Sequence, residues 1–179
     1  VHTVNEVTRL LSDNEDDVAL IYPGRKYIEF QIGDLIMFSR LIDGDYIDYD
    51  RIIQQNHRIQ VTADRQKLIG ALERAALVTE ERIAGNLQAH VKLNVTGDTM
   101  QISAVSVTGS TFEEVNVSHT GDDIVICFNN RFLIDSLRAC EGDVVRISLS
   151  TPLSSINIQP VEEEAAESLY MLLPVRTKD

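Results

Sequence analysis

The residues best suited to chemistry in this sequence are carboxylates. Asp43, Asp45, Asp48 and Asp50 crowd one polar stretch, and Asp16-Asp17 and Asp122-Asp123 form pairs. Clustered carboxylate oxygens suit a hard divalent ion, but the first group lacks the central Gly and terminal Glu of a calcium loop. His2, His57, His90 and His119 show no short metal-ligand spacing. The glycines are scattered through turns and helices and build no phosphate loop. No Ser or Cys sits in a nucleophile elbow, and Gly109-Ser110 reads as turn. One enzymatic reading survives: a metal-dependent hydrolase or nuclease in which Asp43, Asp45 and Asp48 converge. If they do not converge, they are solvated junction carboxylates. The sequence assigns no catalytic residue, metal ligand or cofactor.

A different chemistry belongs to the cations. Helical segments 4–12, 64–78 and 130–139 carry Arg9, Arg65, Lys67, Arg74, Arg131 and Arg138 against Glu6, Asp64, Glu73 and Asp135. The whole chain has 28 acidic and 16 basic residues, a net charge of −12. Basic helix faces on an acidic protein suit non-specific, salt-sensitive contacts to phosphates. Equally, Arg is a good helix former that snorkels along exposed faces. The total charge argues against an ordinary basic nucleic-acid binder, and a local patch remains open.

The third candidate is apolar. Leu169 to Arg176 reads Leu-Tyr-Met-Leu-Leu-Pro-Val-Arg, a continuous run in which Pro174 marks an edge or a strand end. Met171, Leu173 and Val175 then form the wall of an exposed groove, with Leu153 at the preceding turn. The alternative is a strand covered on both sides.

These residues are positioned by one unit, a helix followed by three strands, that occurs three times. In the first copy Val4, Val7, Leu10 and Leu11 recur at helical spacing, Thr3 and Glu6 make a capping box, and Asp13 to Asp16 end the helix. Strands are expected at 18–22, 27–32 and 35–42, with breaks at Pro23-Gly24 and Gly33-Asp34. The second copy has Leu68, Leu72, Ala75 and Ala76 on one helical stripe, then strands at 90–95, 100–105 and 113–118. Gly97-Asp98 supplies a tight turn. The third opens at 130–140 with Phe132, Leu133 and Leu137 inward and Ile134 as a further candidate. Its strands lie at 144–150, 154–159 and 169–175, and 162–167 is a solvated hairpin tip. Extra runs at 58–62 and 124–128 feed the second and third helices, so residues 58–175 read as two strand-helix-strand-strand-strand units. Short connections and few helices favour antiparallel sheets with helices on one face, an α+β fold. The first unit lacks its leading strand, and 43–55 is a polar junction.

In a chain of 179 residues, 44% hydrophobic residues suffice for a sizeable core. No cationic stretch followed by an apolar run of signal-peptide kind is seen, and no apolar run reaches bilayer length. Cys127 and Cys140 read as buried thiols of a reducing compartment, which makes the sequons at Asn94 and Asn116 meaningless.

Three blocks resemble the bacterial DNA polymerase III beta subunit family, the beta sliding clamps (processivity factors). They are Phe38 to Asp48 (FSRLIDGDYID), Ile126-Cys127-Phe128-Asn129, and Tyr170 to Arg176 (YMLLPVR). The resemblance spans nearly the whole chain and implies a DNA-clamp fold of repeated β-α-β-β-β units. Residues 1–52 would be the second half of the clamp's middle domain, and 53–179 a complete C-terminal domain. It further implies a non-catalytic, cytoplasmic scaffold without cofactor or membrane contact. The parent is a homodimeric ring around duplex DNA, with helices lining the hole. Polymerase and clamp-loader subunits would dock short peptides between the middle and C-terminal domains. Carried over by motif, the groove residues are Phe132, Leu153, Ser154, Ser155, Met171, Leu172, Leu173, Pro174, Val175 and Arg176. This sequence departs from the family at Ile47 and Gln54, where Pro is usual, and at Phe132, where Tyr is usual. Those departures touch peptide preference. Besides the metal enzyme, the other rival is a structural interaction module without a DNA role.

Overall fold

The computed structural model describes residues 2–11, 18–79, 82–83, 86–87, 90–106, 109–161 and 168–176. The expected helix stop at 13–16 and the hairpin tip at 162–167 lie outside them. The chain divides into two compact units, Val1–Asp48 and Tyr49–Asp179.

In the first unit, α1 (His2–Leu10) is followed by β1 (Ala19–Pro23), β2 (Tyr27–Ile32) and β3 (Leu35–Arg40). The strands pair antiparallel in the order β1-β2-β3. Gly33 takes φ 57° in the two-residue turn that joins β2 to β3, a conformation only glycine adopts without strain. The capping box does not form. Thr3 lies inside the helix rather than ahead of it, and its hydroxyl meets that of Ser39 on β3 at 2.8 Å. Glu6 pairs instead with Arg9 at 3.1 Å. None of the described residues of this unit is buried, so it has an apolar stripe and a sheet but no enclosed core.

The second unit begins with α2 (Tyr49–Ile52), β4 (Ile59–Asp64) and α3 (Arg65–Thr79), followed by two-residue strands β5 (Arg82–Ile83) and β6 (Asn86–Leu87). Then come β7 (His90–Thr96), β8 (Thr99–Val105), β9 (Ser110–Thr120) and β10 (Ile124–Asn129). Finally α4 (Asn130–Ala139) leads into β11 (Val144–Leu149), β12 (Ile156–Pro160) and β13 (Tyr170–Leu172). Alternation explains the strands: Ile59, Val61 and Ala63 of β4 and Val91, Leu93 and Val95 of β7 are buried, and their neighbours are not. Both helices lay their apolar stripes on that buried face. Leu68, Leu72 and Ala75 of α3 and Leu133 and Leu137 of α4 have no exposed surface, each large side chain contributing about 1.5–3 kcal/mol of burial.

Local chemistry fixes the helix ends. Asp64 accepts from the Lys67 N–H at 2.9 Å, and Asn129 accepts from the N–H groups of Arg131 and Phe132, two cappings of otherwise orphan donors. Buried Asn130 donates to the Leu72 carbonyl at 2.9 Å, tying α4 to α3. Phe132 does not point inward. The buried stripe is Asn130, Leu133, Ile134 and Leu137, and position 132 falls off that spacing, leaving Phe132 57% exposed. The last strand is also shorter than expected, ending at Leu172 before Pro174. Both cysteines are buried, and neither forms a disulfide.

The sheet is eight-stranded and antiparallel, in the order β10-β7-β8-β9-β4-β11-β12-β13. Two units, β4-α3-β7-β8-β9 and β10-α4-β11-β12-β13, interlock by exchanging their leading strands: β10 pairs with β7, and β4 pairs with β11. This is the pseudo-twofold arrangement expected of residues 58–175.

Candidate functional site

The pseudo-twofold axis relates two seams that are not equally closed. In the first, β9 returns to its own unit's leading strand and pairs Gln60 to Ala63 with Val117 to Thr120. The second should join β13 to β10 in the same way. There the chain leaves β13 at Leu172 and passes Pro174, and among the described residues the backbone bond that joins it to β10 runs from the Val175 N–H to the Cys127 carbonyl at 2.8 Å. Proline has no N–H to donate and cannot extend a ladder. The sheet therefore curls far enough to bring its ends together without zipping them.

A surface cavity of about 290 Å³ lies along this open seam. One side is Val125, Ile126 and Cys127 of β10, with Lys92 of β7; the other is Val175 and Arg176 of the tail, with Pro152 and Leu153 of the β11–β12 turn. That turn is braced by the Ser154 N–H donating to the Thr151 carbonyl at 3.2 Å and by contact of the two hydroxyls. It holds Leu153 63% exposed.

Of the residues singled out in the sequence, Leu153, Val175 and Arg176 share this cavity. Leu173 is 67% exposed and Met171 half-buried, whereas Leu172 belongs to the core. Pro174, Ser154 and Ser155 are half-buried. Phe132 stands exposed in the first turn of α4. Sequence reasoning missed Lys92, Val125 and Pro152. Pro152 beside Leu153 in a turn was a local signal, but Lys92 and Val125 join the site only through the β7–β10 pairing.

The six helix cations are all engaged. Arg74 forms a two-point contact with Glu113 of β9, at 3.0 and 2.7 Å. These hydrogen bonds hold the Glu113 carboxyl below the usual carboxylate range and raise Arg74 above its ordinary value. Arg138 meets Glu73 across the two helices at 2.7 Å. Lys67 lies 3.8 Å from Asp64, Arg131 3.8 Å from Asp135, and Arg9 3.1 Å from Glu6. Arg65 donates to the carbonyls of Gly142 and Leu137, satisfying the C-terminal end of α4 as a cation there should. The surface combines both signs rather than presenting bare positive charge.

Asp43, Asp45 and Asp48 do not assemble. Among the described residues, no three His, Cys, Asp or Glu side chains gather into a set able to hold a metal ion. The metal-enzyme reading required that convergence. Among the described residues, no helix is long and apolar enough to cross a membrane.

A twofold-repeated β-α-β-β-β domain, with paired helices on one face of an antiparallel sheet, is the class of DNA-clamp domains. Comparison with known proteins agrees. Residues 50–176 match the family model "DNA polymerase III beta subunit, C-terminal domain", and the chain belongs to that family. It is 28% identical to the beta sliding clamp of Staphylococcus aureus over 174 residues, covering 96% of this chain and 44% of that protein. The DNA polymerase sliding clamp of Bacillus subtilis superposes with a TM-score of 0.82 at 26% identity, over 98% of this chain and 45% of that one. The DNA polymerase III subunit beta of Pseudomonas aeruginosa gives 0.81 at 28% identity, over 97% and 46%. The chain thus spans about half the length of the relatives it matches.

Proposed function

We propose that this chain serves as part of a non-catalytic, cytoplasmic DNA sliding clamp, a processivity factor that captures short peptides of polymerase and clamp-loader subunits. Residues 1–52 act as middle-domain structure and 53–179 as the C-terminal domain. The observation that carries the peptide role is the open seam: a cavity that sets Val125, Pro152, Leu153 and Val175 beside the cations Lys92 and Arg176, placed where Pro174 stops the sheet from closing, among residues that match the family's groove motif. Leu153 and Val175 offer side-chain contacts in the cavity and Leu173 is exposed close by in the chain; by their match to the family's motif, Phe132, Met171 and Pro174 are assigned to the same groove, and Ser154 and Ser155 to its turn. Leu172 supports the wall from the core, and Arg176 supplies a cation at the cavity mouth. Exposed apolar surface of this kind marks a binding site.

For duplex DNA, the helix faces bearing Arg9, Arg65, Lys67, Arg74, Arg131 and Arg138 are the proposed lining of the hole. Their acidic partners make that surface weakly positive, as suits a ring that slides rather than grips. We assign ring closure to the first half of β9, Ser110 to Asn116, which among the described residues pairs with β8 alone. Phe112 on that strand is 61% exposed and Leu77 in the last turn of α3 is 83% exposed.

The test is fluorescence anisotropy with a labelled clamp-binding peptide from a replicative polymerase. Leu173→Asp and Val175→Asp, both at exposed positions, should weaken binding at least tenfold while the melting curve holds. Unchanged affinity in both folded variants would sink the groove assignment.

A further inference from the structure

The cavity on the open seam holds charge beside its apolar residues, and that charge is all of one sign. Its two ionic side chains are Lys92 of β7 and Arg176 of the tail, and no carboxylate lines it. On a chain with a net charge of −12, an acid-free cavity with two cations runs against the average. Both residues are exposed. Among the described residues, ion pairs engage Arg9, Lys67, Arg74, Arg131 and Arg138, but neither Lys92 nor Arg176.

The sheet explains why these two stay unneutralised. Strand register puts Lys92 in an outward row with Cys127 on one side and Ser103 and Phe112 on the other. The neighbouring row is Val125, Asn94, Gln101 and Glu114. Its acid is already engaged: Asn94 donates its amide to Gln101 at 3.1 Å, and Gln101 donates to Glu114 at 3.1 Å. Glu114 also stands on β9, two strand spacings or roughly 10 Å from the strand of Lys92. In the other direction, the tail is bonded to Cys127 through Val175. That places the backbone of Arg176 about two strand spacings from Lys92, on the opposite wall of a cavity of about 290 Å³.

Two unneutralised cations bordering one small cavity repel each other, and an anion between them relieves that repulsion. Apolar surface alongside favours an apolar group next to the anion. Resting on the peptide-groove reading above, we infer that the seam selects a peptide with an acidic side chain within a residue or two of its apolar anchor. The Asp or Glu carboxylate lies between the Lys92 ammonium and the Arg176 guanidinium, and the apolar side chain lies against Leu153 and Val175. Lys92 is then a specificity-determining residue that the sheet, not the tail, contributes to the groove. The cations stand on opposite walls, so a side chain reaches both from a peptide that runs on along the seam.

The experiment is competition anisotropy on the full chain, with the labelled polymerase peptide as reporter. The competitors are the same peptide with both ends blocked, each position flanking its apolar residues being Glu, Gln or Lys in turn. One further competitor has a free C-terminal carboxylate. At one position Glu should bind roughly fivefold more tightly than Gln, and Lys more weakly than both. The preference should shrink as salt is raised and vanish when Lys92→Gln and Arg176→Gln are combined. Equal binding of Glu and Gln at every position of the unaltered chain overturns the proposal, as does a preference that survives in the folded double variant. A gain confined to the free C-terminus also overturns it and assigns a chain-end carboxylate. Failure of the groove reading looks different: Leu173→Asp and Val175→Asp then leave every peptide's affinity unchanged. Failure of charge selection alone keeps those losses and removes only the difference between Glu and Gln.

Discussion

Val175 and Cys127 are joined by a single backbone hydrogen bond of 2.8 Å, from the N–H of the first to the carbonyl of the second. At the pseudo-equivalent position of the other half, β4 and β9 share a register of four residue pairs. The contrast locates the candidate peptide site where one symmetric contact has been reduced to a point. Replacing Val175 by Pro removes the donor. Peptide affinity should fall and amide exchange near Cys127 should rise, while global stability drops by only about 1 kcal/mol. Urea denaturation and hydrogen exchange on the same sample check both halves of this expectation.

Gly121 sits between β9 and β10 with φ 100°, and a Cβ there would lie 2.4 Å from the Arg58 carbonyl oxygen. Gly97 also has positive φ, at 54°, but open space around it. Gly121→Ala should therefore cost about 2–3 kcal/mol, from backbone strain plus collision, and Gly97→Ala about 1 kcal/mol from strain alone. Equal effects in urea melts would contradict the packing explanation.

Asn130 is 1% exposed and is the polar link between α4 and the Leu72 carbonyl of α3. Truncation to Ala should destabilise the second unit by about 1–3 kcal/mol. Asn130→Asp should do worse near neutral pH, because it sets a charge in the same closed space. Chemical denaturation at two pH values separates the cases.

The Arg74–Glu113 pair sets a pH dependence. Its hydrogen bonds lower the folded Glu113 pKa, so the stabilisation is present above the ordinary carboxylate value. It is lost as pH falls through the depressed folded value. Glu113→Gln should remove that part of the acid limb in a plot of urea midpoint against pH. An unaltered limb would show that the contact contributes nothing to stability in solution.

Charge pairing on the helices makes an unusual forecast for duplex binding. Neutralising the acidic partners, with Glu73→Gln and Asp135→Asn, should strengthen association with a short duplex. Lys67→Glu with Arg131→Glu should weaken it. Both effects should shrink as salt rises from low to physiological levels. Anisotropy across a salt series reads the result, and insensitivity to all four substitutions would remove the DNA-facing assignment.

Much of the fold was legible because its signals are local. The alternation in Val91, Leu93 and Val95 and the spacing of Leu68, Leu72 and Ala75 both appear in the structure as buried faces. Thr3 and Glu6 misled because a capping box is a four-residue pattern, and the contact between Thr3 and Ser39 lies 36 residues apart. The same distance problem hid the fate of the cations: Arg74 finds Glu113 39 residues away, and Arg138 finds Glu73 65 away. Phe132 was misplaced for a different reason, since an aromatic beside a buried stripe looks apolar enough to belong to it. The groove was half legible. Pro174 announced an interrupted strand, but Lys92 and Val125 enter only when the sheet curls.

The two seams also differ as mechanical joints. A run of paired residues shares an applied pull among several bonds, whereas among the described residues the tail offers the Val175 contact to carry it. Tension on the C-terminal tail should therefore peel Val175 from β10 before it disturbs β4 and β9. A partner tethered to that tail would open its own docking site by tugging on it.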